Sequence, residues 1–498
     1  MTFHRIRCFT AAFLGLFCAI GSTQAQSQNT TTPIKYLVVI FDENQSFDHY
    51  FGTYPNAANP QDEPVFHAAA GTPEVNGLSG VIQKHNPNTI APFRLDRSQN
   101  VTCDNDNAYT DEQKGFDGGL MDKFATVTSS PVSAACPIVG LSMGYYDGNT
   151  VTALWNYAQH FAMSDNFFDT EFGTTVMGHL NLISGSTHTT SVASISGKVA
   201  NGSVIANVEA PAANDDCTSG TPVLMTGKNV GDLLNAAGVT WGWFYGDWLP
   251  TSSKNGAAVC TSLYNNHYDP FNYYTSTANP HHLPPSVVSM IGQTDQANHQ
   301  YSVGDFWNAA YNGVIPAVSF LKASTTATGH PAKSDPLSEQ TWLVSTINDL
   351  MKLPQWNEMA ILITYDDSDG WYDHVAPPIV SQSNDSANDA ANGSGLCGTP
   401  TQGAYLDRCG YGQRLPFLVI SPFAKPNFVD HTTTDTTSIL RFIEDNWNLG
   451  RIGDQSFDAI AGSILNSFDF TGTPAKPLIL DPTSGEPATT AKPTHGSK

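Results

Sequence analysis

Five short, nearly continuous apolar runs punctuate this chain: Tyr36–Phe41, Thr240–Tyr245, Ala317–Leu321, Ala360–Tyr365 and Pro416–Ile420. Runs of this kind, with no polar alternation, describe strands buried on both faces, the situation of a parallel sheet covered by helices. Helical patterns such as Leu337–Leu353 and Thr436–Leu449 lie between them. The alternation predicts an α/β fold, with a central, mostly parallel sheet flanked by helices. Such sheets bind ligands beyond the carboxyl ends of their strands. The residues that directly follow each run are therefore where chemistry is sought.

Two runs end in oxygen donors. Tyr36–Phe41 leads through Asp42 into Glu43 and Asn44, and Ala360–Tyr365 leads into the adjacent Asp366 and Asp367. Hard divalent cations take carboxylate and amide oxygens, and buried neighbouring carboxylates repel unless a cation or a shared proton holds them. Taken singly, the first segment also reads as a capped strand-to-helix turn, and the second as a solvated acidic loop. Together they favour a divalent metal site, with Asp369 and Asp373 behind it or purely structural. A third segment, Phe172–Leu182, sets Thr174 and Thr175 on a glycine turn ahead of a helix. Free N–H groups at a helix amino end suit a phosphoryl oxygen, and a threonine hydroxyl beside a divalent ion can serve as a nucleophile. The plainer reading is a threonine helix cap, with His179 a structural hydrogen-bonder. His281 and His282 form a stiff loop between prolines, and His330 precedes Pro331. These imidazoles can donate to phosphate or act as a general acid, and they lack the spacing of a transition-metal site.

Charge narrows the partners. The chain holds 22 Lys+Arg against 45 Asp+Glu, net −23, so it repels nucleic-acid backbones, and no nucleic-acid partner is expected. An anionic substrate needs a local cation or clustered donors. Residues 1–25 have the form of a signal peptide: Arg5 and Arg7, an apolar run from Phe9 to Ile20, and small residues before a cleavage point after Ala25. That predicts a secreted or periplasmic protein. The run is short of the ~20 residues a membrane span needs, and no other segment approaches that length, so no integral membrane segment is expected. Cleavage leaves 20 basic against 45 acidic residues, net −25, and six cysteines. An even count in an exported chain favours disulfides, and sequential pairing is expected: Cys103–Cys136, Cys217–Cys260 and Cys397–Cys409. Residues 33–472 are assigned to one catalytic domain. Within it, 54–100 reads as a long excursion near the site and 381–412 as a low-complexity loop, and the fold is expected to carry a smaller inserted subregion or lid. Residues 473–498 read as a flexible tail.

Seven blocks, in order, carry a family resemblance: DENQSFDHYFG, DGGLMDKF (Asp117–Phe124), HFAMSDNFFDTEFG with GHLNLISG, HHLPP, SDPLSEQ, TYDDSDGWYDH and RLPFLVISPFAKPNFVDH. From about Lys35 to Leu449 the chain resembles the bacterial phosphoesterase family of phospholipases C and acid phosphatases, a branch of the alkaline-phosphatase-like group. The resemblance implies an alkaline-phosphatase-like sheet and a single metal held by Glu43, Asn44, Asp366 and Asp367. It implies that Thr175 attacks phosphorus within that metal's shell, and that His281, His282 and His330 bind phosphate or protonate the leaving group. The chain departs from the family in three ways. Thr175 stands where the acid-phosphatase branch usually has Ser. Thr174 and Met177 replace flanking prolines. Asn107 stands where a further histidine is usual.

These expectations combine into an exported phosphoric ester hydrolase, read first as an acid-phosphatase-like phosphomonoesterase with a phosphothreonine intermediate and a small phosphate-ester substrate. The alternative is a phospholipase C-type phosphodiesterase acting on phospholipid headgroups. Two remoter readings are a glycosidase using Asp366 with another acid, which needs no metal, and a non-catalytic metal-binding exported protein.

Overall fold

A computed structural model of the chain describes residues 29–250, 252–254, 257–389 and 397–488. The expected signal segment, the end of the tail and the middle of the low-complexity loop lie outside the described residues. The centre is an eight-stranded sheet. Its strands in chain order are β1 (Tyr36–Asp42), β2 (Ala162–Ser164), β3 (Trp241–Tyr245), β4 (Gln300–Ser302), β5 (Val318–Lys322), β6 (Met359–Tyr365), β7 (Phe417–Ile420) and β8 (Phe428–Asp430). Across the sheet they run β4-β3-β5-β1-β6-β7-β2-β8. β7 is antiparallel to both neighbours, and every other pairing is parallel. The expected α/β architecture is what the chain adopts.

All five apolar runs are strands of this sheet, each within a residue of its expected bounds. Every residue of β6 is buried, as is every residue of β1 after Tyr36. Three further strands, β2, β4 and β8, have three residues each and leave no readable pattern in the sequence. Four helices matter for the site: α1 (Tyr109–Phe116), α2 (Thr175–Ser184), α3 (Pro336–Leu350) and α4 (Thr437–Trp447). α4 packs on α2.

The three disulfides pair sequentially, as expected, closing loops at separations of 33, 43 and 12 residues. The excursion 54–100 is tied to the loops beyond the sheet. The Asn76 N–H donates to Asp165, its carbonyl accepts from Arg414, and the Asn86 amide donates to the Tyr372 hydroxyl. Residues 473–488, the described part of the segment read as a flexible tail, lie on the body rather than apart from it. Leu480 is buried and exchanges two hydrogen bonds with the Asn348 side chain, and the Gly485 carbonyl accepts from Asn156.

The SDPLSEQ block has a purely physical account. Asp335 caps α3 by accepting from the Leu337 and Ser338 N–H groups, and Pro336 occupies the first turn, where its missing N–H costs nothing. One turn later Glu339 points inward and accepts from the Tyr50 and Tyr365 hydroxyls at 2.8 and 2.5 Å. Burial pushes its pKa up to about 8, against the pull of those two donors. The folded chain therefore holds a proton that the unfolded chain releases near 4.5. This contribution is complete below that value and is lost as pH rises towards about 8. Glu339→Gln should flatten this part of the stability profile, measured by urea unfolding between pH 4.5 and 8.

Candidate active site

The register of β1 against β6 builds the site. Asp42 lies opposite Tyr365, so Glu43 and Asp366, the next residues of two parallel strands, emerge side by side. Asn44 follows with φ of 60°, a left-handed conformation that asparagine tolerates better than most residues. That turn aims its backbone N–H at Asp366 Oδ1 (3.0 Å) and its amide at Asp369 Oδ1 (3.0 Å). Asp367 accepts from the Asp369 N–H (2.7 Å) and from the Asn107 amide (3.0 Å).

Thr175 enters from the opposite side. It opens α2, and its hydroxyl donates to Asp367 Oδ2 at 3.4 Å. Two glycines permit the approach. Gly173 has φ of 131° and would drive a Cβ to 2.5 Å from Met177 Sδ. A Cβ on Gly178 would sit 1.9 Å from the Asp366 carbonyl oxygen. Helix α2 thus rests backbone against backbone on the end of β6. Glu112, from α1, braces the same junction: it accepts from Ser368 Oγ (2.5 Å) and from the Gly173 N–H (2.8 Å).

The electrostatics are those of a cation site. Glu43, Asp366, Asp367 and Asp369 are fully buried, and Asn44 is 1% exposed. Burial raises the Asp366 carboxyl well above its ordinary range, and Glu43 and Asp367 add to the rise. Burial pushes Asp367 up to about 7, opposed by its hydrogen bonds from Asp369 and Asn107. Carboxylates gathered in this way need a compensating charge to stay ionised. Three of their neighbouring polar atoms, Glu43 Oε2, Asn44 Oδ1 and Asp366 Oδ2, are buried without a hydrogen-bond partner. Buried polar atoms are rarely left so, and an oxygen set of this kind fits a hard divalent cation. Donor atoms of Glu43, His179 and Asp366 lie within 4.8 Å of one another, a group that could hold a metal ion, and Asp367 and the Thr175 hydroxyl are the adjoining residues of the expected set.

The histidines divide. His330 belongs to the site: its Nε2 lies 4.0 Å from Glu43 Oε2 and 3.4 Å from Asn44 Nδ2. Its Nδ1 must donate, because its partner is the Pro331 carbonyl (2.7 Å), so Nε2 accepts from Lys333 Nζ (3.1 Å). Burial lowers its pKa. His281 and His282 are engaged elsewhere. The His281 side chain is 64% exposed, with Nδ1 on Asp216 (2.7 Å). His282 is buried, bonded to Asp215 (3.1 Å) and stacked on Trp248.

Two further residues reach the site, of which only Lys322 was left aside by the sequence reasoning. His179, one turn along α2, donates from Nδ1 to the Thr175 carbonyl (2.8 Å), and that nitrogen lies 3.6 Å from Asp366 Oδ2. That bond is the structural role expected of His179, which with Glu43 and Asp366 also belongs to a group that could hold a metal ion. Lys322, the last residue of β5, is fully buried and ion-paired to Glu43 Oε1. Its signal was present: like the two acidic runs, a buried strand ends in a charge. Beside Thr174, a cleft of about 590 Å³ opens to solvent, lined by Asp104, Asn107, Ser130, Lys198 and Asn207 among others.

The Phosphoesterase family profile matches residues 34–450. The chain is 24% identical over 464 residues to the non-hemolytic phospholipase C of Pseudomonas aeruginosa, an alignment that covers 89% of this chain and 58% of that protein. It is 24% identical over 475 residues to phospholipase C A of Mycobacterium tuberculosis, covering 91% of this chain and 81% of that one. This chain therefore spans little more than half the length of the Pseudomonas protein. A solved structure from the alkaline phosphatase superfamily of Vibrio parahaemolyticus aligns over 85% of this chain and 69% of its own. Its 10% identity and TM-score of 0.32 are too low to carry an argument.

Gly178→Ala should force α2 away from β6, costing about 1–3 kcal/mol as overpacked sites do. Chemical denaturation would measure the loss, and turnover should fall further than stability because Thr175 moves with the helix.

Proposed function

The chain belongs to the phosphoesterase family, a hydrolase of phosphoester bonds, and from that premise we propose that it is an exported phosphodiesterase of the phospholipase C kind. The observation that carries the reading is the cluster of buried Glu43 and Asp366 donor atoms within 4.8 Å of one another, with oxygens of Glu43, Asn44 and Asp366 left without hydrogen-bond partners and the Thr175 hydroxyl on the adjoining Asp367. The diester preference rests on the relatives, which are named as phospholipases C. It replaces the monoester preference that the motifs alone favoured.

Glu43, Asn44, Asp366, Asp367 and Thr175 would hold one divalent ion. When bound, such an ion polarises a phosphoryl oxygen and makes a neighbouring hydroxyl more acidic. Thr175 Oγ attacks phosphorus in line and releases its proton to the Asp367 carboxylate it touches. A bond forms from Oγ to phosphorus, and the bond from phosphorus to the glycerol oxygen breaks. The leaving oxygen takes a proton that the Lys333 ammonium passes through His330 Nε2, the nitrogen it donates to, and solvent restores the proton to Lys333. Water, giving up a proton to solvent, then attacks the phosphothreonine, the bond from phosphorus to Thr175 Oγ breaks, and Oγ takes back the proton held by Asp367, freeing the phosphorylated headgroup. Asn107 holds Asp367 in place as a neutral donor. His281 and His282, already held by Asp216 and Asp215, are given no part in bond breaking.

The test is a side-by-side assay on p-nitrophenyl phosphate and p-nitrophenyl phosphorylcholine with added divalent metal. Faster diester turnover is expected, and faster monoester turnover would return the acid-phosphatase reading. Thr175→Ala should lose on the order of a thousandfold in kcat with its circular dichroism spectrum unchanged. Near-native turnover in that variant removes Thr175 from the role, and turnover unaffected by a chelator removes the metal.

A further inference from the structure

We propose that Lys322 acts as a fixed internal cation that holds Glu43 to one free oxygen and limits the site to a single divalent ion. The inference rests on the metal-site reading above and adds a positioning residue to it. β5 lies beside β1, with Leu321 opposite Ile40, so Lys322 reaches the carboxyl end of the sheet from the side opposite β6. Its ammonium is fully buried. It pairs with Glu43 Oε1, lies 3.4 Å from the Asp42 carbonyl, and sits 4.7 Å from the centre of the Tyr268 ring. A buried ammonium is retained only where charge and hydrogen bonding compensate it. Among the described residues, no other lysine or arginine forms an ion pair with Glu43, Asp366 or Asp367.

Two consequences follow from that placement. The first is geometric. Two-metal phosphoesterase sites hold their ions about 3.5–4 Å apart, a separation that a carboxylate spans with one oxygen on each ion. Lys322 occupies Glu43 Oε1 and leaves Oε2 as the unpartnered atom, so Glu43 offers one oxygen. The second is charge. Ligands to a cation are deprotonated, and Lys322 offsets one of the negative charges gathered on Glu43, Asp366 and Asp367, beside which Asp42 and Asp369 are also buried. Each negative charge that Lys322 offsets is one fewer for a second divalent ion to balance.

The experiment titrates metal-free protein with Mn²⁺ and reads stoichiometry together with the electron paramagnetic resonance spectrum. The native chain is expected to take one tight ion with the six-line signal of an isolated Mn²⁺. Lys322→Met, purified in Mn²⁺ to support folding, should gain a second ion at least about tenfold tighter than any second site of the native chain, with an exchange-coupled spectrum. Lys322→Arg keeps the charge and should remain at one. A coupled pair in the native chain overturns the proposal, and so does a Lys322→Met protein that saturates at one ion with native affinity. Should Lys322→Met not fold, a coupled pair in the native or Lys322→Arg protein still overturns it. Absence of tight uptake in all three overturns the metal site itself and the role of Lys322 with it, a pattern distinct from failure of Lys322 alone.

Discussion

The molecule depends on one pairing. β1 and β6 run parallel with Asp42 opposite Tyr365, and everything charged at the site hangs from that register. Side chains in strands alternate between faces, so a slip of one residue would turn Glu43 and Asp366 to opposite sides of the sheet. Burial of both strands on both faces makes such a slip prohibitive, because it would reorganise the whole apolar centre. The hydrophobic core thus fixes the position of acids that by themselves would repel one another. Two segments more than 300 residues apart in the chain meet because their preceding strands have no other low-energy alignment.

Around that pairing, the remaining elements act mainly by restricting distance. Gly178 lets α2 lie on the Asp366 carbonyl, which brings Thr175 to Asp367. Glu112 ties the loop before Thr175 to the loop after Asp367 through two hydrogen bonds, so the hydroxyl and the carboxylates move as one unit. On the flank, the Arg414 guanidinium joins Asp48 to Asp373, and His374 bonds Asp48 at 2.7 Å. None of these side chains has a buried polar atom left without a partner. The Glu43, Asn44 and Asp366 set, by contrast, keeps unpaired oxygens. That difference, rather than the mere presence of acids, separates a structural cluster from a candidate metal centre.

Much was legible in the chain itself. A strand buried on both faces needs an unbroken apolar run, so β1, β3, β5, β6 and β7 announce themselves, and Glu43, Asn44, Asp366 and Asp367 are located as the residues that follow two of those runs. The same logic extends to Lys322 at the end of β5, a cation in the corresponding place. Short strands such as β2 and β8 have too few residues to express a period. They form because the sheet edge offers unpaired hydrogen-bonding groups.

The sequence by itself determined the α/β class and put candidate oxygen donors at the ends of two strands, since both depend on local composition and periodicity, and the sequential disulfides were an expectation that the fold met. Tertiary structure alone decided which of those donors meet. His330 arrives at Glu43 while His281 and His282 are drawn to Asp216 and Asp215, and Lys322 is paired where no local pattern specifies a partner. The physical reason is that strand order across a sheet is set by the packing of all its members at once. Neighbourhood at the carboxyl edge, and with it the charge balance of the site, belongs to the assembled sheet and to no single segment.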